Sequence, residues 1–166
     1  FQRRRALHAA VADHLAAQPD AADALRAVHL EAAGRTAEAY PLAAAAGRTA
    51  KSAGASAEAV ELLGRAAAMA RVHEPRAVAG LLLDQAEACG WLADHAAVAR
   101  ILRSARRATD DPLEQARICH LWADLALRHN NIAAARRWGK RGMALVGHRD
   151  DAADLRCWLL LDLGSV

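Results

Sequence analysis

Asp84 and Glu87 stand three residues apart in a stretch of helical character, so both carboxylates share one face. A general acid–base pair would use such spacing. No nucleophile accompanies it, since the chain holds no Gly-x-Ser-x-Gly elbow. The histidines, His8, His14, His29, His73, His95, His120, His129 and His148, are scattered and form no His-Glu-x-x-His motif. His8 and His14 are six apart and fall on different helix faces; a lone helical histidine is ordinarily a surface or packing residue. Gly47-Arg48-Thr49 lacks the upstream glycine and the lysine of a phosphate-binding loop. Cys89, Cys119 and Cys157 are far apart, without Cys-x-x-Cys or Cys/His ligand spacing. They read as buried small hydrophobes in a reducing cytosol. The expectation is a non-enzyme with no catalytic residue, cofactor site or metal site, residing in the cytoplasm.

The elements that carry these residues are helices. The 166 residues include 46 alanines, and aromatics make up only 4%. Alanine favours helices and lets them approach closely, but buries little area per residue. Bulk in the core must then come from the leucines and from Trp91, Trp122, Trp138 and Trp158, with Trp122 and Trp158 expected inside. Strict alternation of apolar and polar residues is absent, so the chain reads as all-α. No apolar run approaches the length of a membrane span, and no signal peptide is evident.

Start and stop signals divide the chain into nine helices. The first runs from about Gln2 to Ala17, with Leu7, Val11 and Leu15 as its stripe. Asp20 can cap the second, with Asp23 at the third helical position, and Gly34 ends it. Thr36 to Ala53 forms the third, which Pro41 should kink or delay. Ser56 caps the fourth, over Ala57 to Arg71, and Glu74-Pro75 opens a fifth that ends near Gly90. The sixth spans about Asp94 to Ala108. Asp111-Pro112-Leu113-Glu114 starts the seventh, which reaches about His129. Asn130-Asn131 turns the chain into the eighth, Ile132 to Val146, and the ninth begins near Asp150.

Small residues recur on this framework. Gly54 is followed by Ala59, Gly64 and Ala66, and Asn130 by Ala135, Gly139 and Gly142. Gly54, Gly90 and Asn130 fall at intervals of 36 and 40, and Pro75 and Pro112 are 37 apart. The unit is a helix pair, and repeats of this length build solenoids. The pairs resemble tetratricopeptide repeats, which pack helix A on helix B through small residues. Gly47, Ala59 and Ala66 match that pattern in the second pair, and Ala123, Ala135 and Gly142 in the fourth. Leu83 stands where the third pair should have a small residue, Trp91 to His95 reads as a longer turn, and the first pair is degenerate. The resemblance implies a right-handed α-α superhelix, a TPR-like solenoid of about four helix pairs plus a terminal helix. The pairs are 2–33, 36–71, 75–108 and 112–147, with a truncated unit at 150–166, forming a single domain.

In tetratricopeptide arrays, helix A positions facing the groove contact ligands. By register these are Arg48 and Lys51, then Asp84 and Glu87, then Arg117, His120, Asp124 and Arg128. The groove would read basic, then acidic, then mixed, and would grip a protein or peptide by charge-assisted hydrogen bonds. A second resemblance lies in Phe1-Gln2-Arg3-Arg4-Arg5-Ala6-Leu7-His8 and in His29-Leu30-Glu31-Ala32-Ala33-Gly34-Arg35. These look like the junction where the nucleotide-binding module of large bacterial signalling ATPases gives way to its repeats. Class III adenylate/guanylate cyclases and large ATP-binding transcriptional regulators of the LuxR class share that architecture, and the alanine and arginine richness suits an actinobacterial-looking source. The chain then reads as a piece of a longer protein, since Phe1 opens mid-pattern and an apolar helix runs to its end.

The net charge is only +3, with a pI near 9.1. Basic clusters at Arg3-Arg4-Arg5, Arg103-Arg106-Arg107 and Arg136-Arg137-Lys140-Arg141 read as solvated faces, without aromatic interleaving or a recognition-helix pattern. The expected role is a non-catalytic interaction or sensor scaffold. Its partners would be a protein, a peptide or adjacent domains of the parent chain, with oligomers possible and neither membrane nor nucleic acid expected. The alternative is a nucleic-acid-binding helical module using the arginine clusters.

Overall fold

The computed structural model describes residues 2–18, 22–147 and 149–164. Among them the chain is helical without a strand: α1 (Gln2–Ala16), α2 (Asp23–Ala32), α3 (Thr36–Ser52), α4 (Ser56–His73), α5 (Val78–Trp91), α6 (His95–Arg107), α7 (Pro112–Arg128), α8 (Ile132–Val146) and α9 (Ala153–Gly164). Short 3₁₀ turns, Pro75–Ala77 and Asp150–Ala152, lead into α5 and α9.

Three turns are built alike. Gly34, Gly54 and Asn130 take left-handed φ of +81°, +77° and +53°. In each, the next amide reaches back five residues: Arg35 to Leu30 O, Ala55 to Ala50 O and Asn131 to Ala126 O. This is the Schellman closure, which satisfies carbonyls left open by the ending helix. The Asn130-Asn131 pair divides its labour: Asn130 adopts the left-handed position, and the Asn131 side chain accepts from Ala134 N at 3.1 Å to cap α8. Asp94 and Asp111 cap α6 and α7 in the same manner, accepting from Ala97 N and Glu114 N.

Several expectations are corrected. Gly90 lies inside α5, and the left-handed residue at that turn is Ala93, φ +56°. The turn Leu92–Asp94 is short, and the spacings of the left-handed residues become 39 and 37 rather than 36 and 40. Ser56 is the first residue of α4 and not its cap; Ala55 precedes it with no side-chain bond. Asp23 opens α2 instead of holding its third position, while Asp20 lies outside the described residues, as do Phe1 and His148. Pro41 does not delay α3, which begins at Thr36.

Each helix packs mainly on its sequence neighbours, most extensively α3 on α4 and α7 on α8. The other substantial contacts join α3 to α5, α5 to α7 and α7 to α9. Small residues set these distances. A β-carbon on Gly47 would lie 2.8 Å from Leu63 Cγ, and one on Gly142 would lie 2.5 Å from Leu159 Cδ2. Ala59, Ala66, Ala123 and Ala135 are fully buried. The largest fully buried side chains are aliphatic, including Leu30, Leu63, Leu81, Leu83 and Leu102. Tryptophan does not supply this bulk. Trp122 is half-buried against the main core and stacks on Trp138, with ring centroids 5.8 Å apart. Trp158 is 57% exposed, against the expectation, because α9 rests on α7 and α8 through Leu159 and leaves this side chain outside. Cys89 and Cys119 are buried, but Cys157, on the outer side of α9, is exposed. No described helix is long and apolar enough to cross a membrane.

Candidate functional site

The contacts α3–α5 and α5–α7 bring together five of the eight charged residues singled out by register. Lys51 donates to both Asp84 Oδ1 and Glu87 Oε2 at 2.8 Å. Arg48 Nε donates to Asp84 Oδ2 at 2.9 Å. From the other side Arg117 reaches Glu87 Oε1 at 2.6 Å and Asp84 Oδ1 at 3.4 Å. Two carboxylates on α5 thus bridge cations from both flanking helices. The network is partly dry: the Asp84 side chain is 11% exposed, against 55% for Arg48. Burial alone would raise the pKa of Asp84, but the bonds from Lys51 and Arg48 hold it below the usual carboxylate range. Burial works to lower Lys51 and Arg117, yet the facing carboxylates hold both above their ordinary values.

The other three residues follow along α7. His120 Nδ1 lies 2.7 Å from Oδ2 of Asp162, a buried carboxylate on α9 that is not one of the eight. Arg128 Nε donates to Asp124 Oδ2 at 2.8 Å, one turn earlier on the same helix. The eight residues therefore lie along one path, but as paired charges and not as a row of open ones.

Between α5, α7 and α9 opens a cleft of about 720 Å³. Glu87, Arg117, His120, Asp124 and Arg128 line it, together with residues the sequence did not point to: Trp91, Leu121, Leu127, Asp154, Trp158 and Asp162. Trp91 is 77% exposed, and the Trp158 ring stands 6.0 Å from that of His120. Arg48 and Lys51 do not line this cleft; they meet the ligated carboxylates from the α3 side. The volume lies in the range of small-molecule and peptide-anchor sites, and the mixture of apolar walls with a few convergent polar groups is what such sites present. The missed signal was an i, i+4 pair on α9, Trp158 and Asp162, whose meaning depended on α9 folding back against α7.

Among the described residues, no group of three or more His, Cys, Asp and Glu side chains is placed to hold a metal ion. Searches for related molecules return no matching family, characterised protein or solved structure.

Proposed function

We propose that this chain is a non-catalytic interaction or sensor scaffold, a TPR-like right-handed superhelix within a larger bacterial signalling ATPase, cyclase or transcriptional regulator. The observation that carries this reading is the cleft between α5, α7 and α9, where exposed Trp91 and Trp158 stand beside Arg117, His120, Asp124 and Arg128. Exposed tryptophans flanked by hydrogen-bonding charges anchor protein partners with little loss of side-chain freedom. The stacking of α3, α5, α7 and α9 on one another supports a repeat architecture, in which one ligand can touch several repeats.

Ligand contact is assigned to the α7–α9 part of the path. Arg48, Lys51, Asp84, Glu87 and Arg117 share one network of ion pairs around the nearly buried Asp84, whereas Arg128 holds only the solvent-exposed Asp124 on its own helix, a pair a ligand exchanges at little cost. Occupancy of the cleft would bridge α5, α7 and α9 and so bias the position of whatever module the parent chain attaches.

The test is affinity for a partner isolated by cross-linking to the parent protein. Trp91, Trp158 and Arg128 are exposed, so alanine replacements there spare the core. The triple variant should bind at least about tenfold more weakly, as expected for losing a charge-assisted hydrogen bond and two aromatic anchors. Unchanged affinity in a variant of unchanged helicity refutes the cleft as the site.

A further inference from the structure

Away from the cleft, eight of the chain's 22 lysines and arginines lie on two helices. α6 carries Arg100, Arg103, Arg106 and Arg107, and α8 carries Arg136, Arg137, Lys140 and Arg141; neither helix contains an acidic residue. All eight are exposed. On α6 they follow an i, i+3, i+6, i+7 course opposite the buried Val98, Ile101, Leu102 and Ala105. On α8 they lie opposite the buried Ala135, Gly139, Gly142 and Val146. α7 packs against both helices, so the two stripes flank one helix. None of the eight lines the cleft.

The contrast with the cleft side decides the reading. There Arg48, Lys51, Arg117 and Arg128 each hold a carboxylate. On the α6–α8 face no ion pair is formed by Arg100, Arg103, Arg106, Arg107, Arg137, Lys140 or Arg141 among the described residues. The whole chain is only +3, so the remainder is net acidic, and the separation is not a by-product of a uniformly basic protein.

We infer that the α6–α8 face docks the phosphate backbone of double-stranded nucleic acid, without reading its sequence. This goes beyond the scaffold role proposed for the cleft. Charge complementarity argues for a polyanion, and seven of the eight cations are arginines, whose planar fork matches phosphate oxygens. A duplex fits better than a single strand, because single-strand grooves stack bases on aromatic rings. The one aromatic here, Trp138, is half-buried, stacked on Trp122 and approached by Arg141. A membrane surface fits less well, because the apolar faces of both helices are buried and Ile132 is the one large apolar side chain they expose among the described residues, too little to insert.

The experiment measures anisotropy of a fluorescein-labelled, mixed-sequence DNA duplex titrated with the full chain between about 50 and 200 mM salt. Affinity should fall steeply with salt. The variants Arg103→Gln/Arg106→Gln and Arg137→Gln/Lys140→Gln should each reduce the salt slope by about two and weaken binding roughly tenfold. Glutamine is a good helix former, and these positions are exposed. Two further variants should bind like the parent: Arg3→Gln/Arg4→Gln/Arg5→Gln, which removes charge elsewhere, and Trp91→Ala/Trp158→Ala, which tests the cleft alone. Four results overturn the inference: no duplex binding at the lowest salt, slopes unchanged in both double variants, an equal loss in the α1 variant, or tighter binding to phosphatidylserine vesicles than to duplex at equal salt.

Discussion

Lys51 on α3 and Asp84 on α5 meet at 2.8 Å across 33 residues of sequence, and this bond is the centre of a bridge spanning three helices. Arg48 joins it on the same side and Arg117 closes it from α7. Helices α3, α5 and α7 are thereby tied to one another by charge.

Replacing Asp84 by Asn keeps the shape and removes the charge, leaving Lys51 and Arg117 to Glu87 alone and Arg48 without its carboxylate. Bonds to charged groups are the stronger ones, but this network is partly solvated, so the cost should be about 1–2 kcal/mol at neutral pH. The folded-state pKa of Asp84 is depressed, because hydrogen bonds from Lys51 and Arg48 outweigh its burial. A depressed carboxylate stabilises the fold above its unfolded value, and that contribution is lost as pH falls through the folded value. Urea unfolding should therefore show the full deficit of Asp84→Asn at pH 7 and a shrinking one below about pH 4. A deficit that persists unchanged to low pH contradicts the assignment.

Gly47 and Gly90 should respond to alanine in opposite directions. At Gly47 the added carbon meets Leu63 Cγ at 2.8 Å and Leu63 N at 3.1 Å, and Leu63 is fully buried. Overpacking of this kind costs about 1–3 kcal/mol. Gly90 sits within α5 with nothing inside 4 Å of the new carbon. Gly90→Ala should gain about 0.5–1 kcal/mol from helix propensity. Thermal melts of the two variants decide, and stabilisation of both would mean that α3 and α4 are farther apart than described.

Ala93 carries the strain of a left-handed backbone at the α5–α6 turn, at φ +56°. A non-glycine residue there costs about 1–2 kcal/mol, part of which glycine returns as extra freedom of the unfolded chain. Ala93→Gly should raise stability by roughly 0.5–1 kcal/mol, and a melting temperature lowered by this change would place the turn elsewhere.

Those turns mark where the sequence was readable. Asp94, Asp111 and Asn131 announce their helices because a short side chain with an acceptor is the physical device that closes a helix start. Ala93 carries no such signal: alanine in a left-handed turn is chosen against its own preference, so Gly90, three residues earlier, drew the boundary. Register expected Arg48, Lys51, Asp84, Glu87 and Arg117 to line one groove, and they lie on α3, α5 and α7. That they satisfy one another depends on how α3, α5 and α7 slide along each other, which no local pattern encodes. The arginine clusters of α6 and α8 were visible singly, but that both helices flank α7 was not. Trp158 was misplaced for a related reason: helix α9 is apolar around much of its circumference, and only packing decides which side faces in.

Quenching of tryptophan fluorescence by iodide tests the cleft directly. Trp91 is 77% and Trp158 57% exposed, whereas Trp122 is half-buried against the core and stacked on Trp138. Variants that retain one tryptophan, with phenylalanine at the other three positions, separate the signals. Quenching should be strong for Trp91 and Trp158 and weak for Trp122, because iodide reaches only rings open to water. His120→Ala sharpens the test. It removes the partner of the buried Asp162 and leaves a carboxylate uncompensated between α7 and α9. Such a group costs on the order of 1–3 kcal/mol and should loosen α9 first. The Trp158 emission would then shift and its quenching rise, while the Trp122 signal stays as it was. Equal changes at both rings would show that α9 does not open on its own and that the His120–Asp162 contact serves the whole fold rather than the cleft wall.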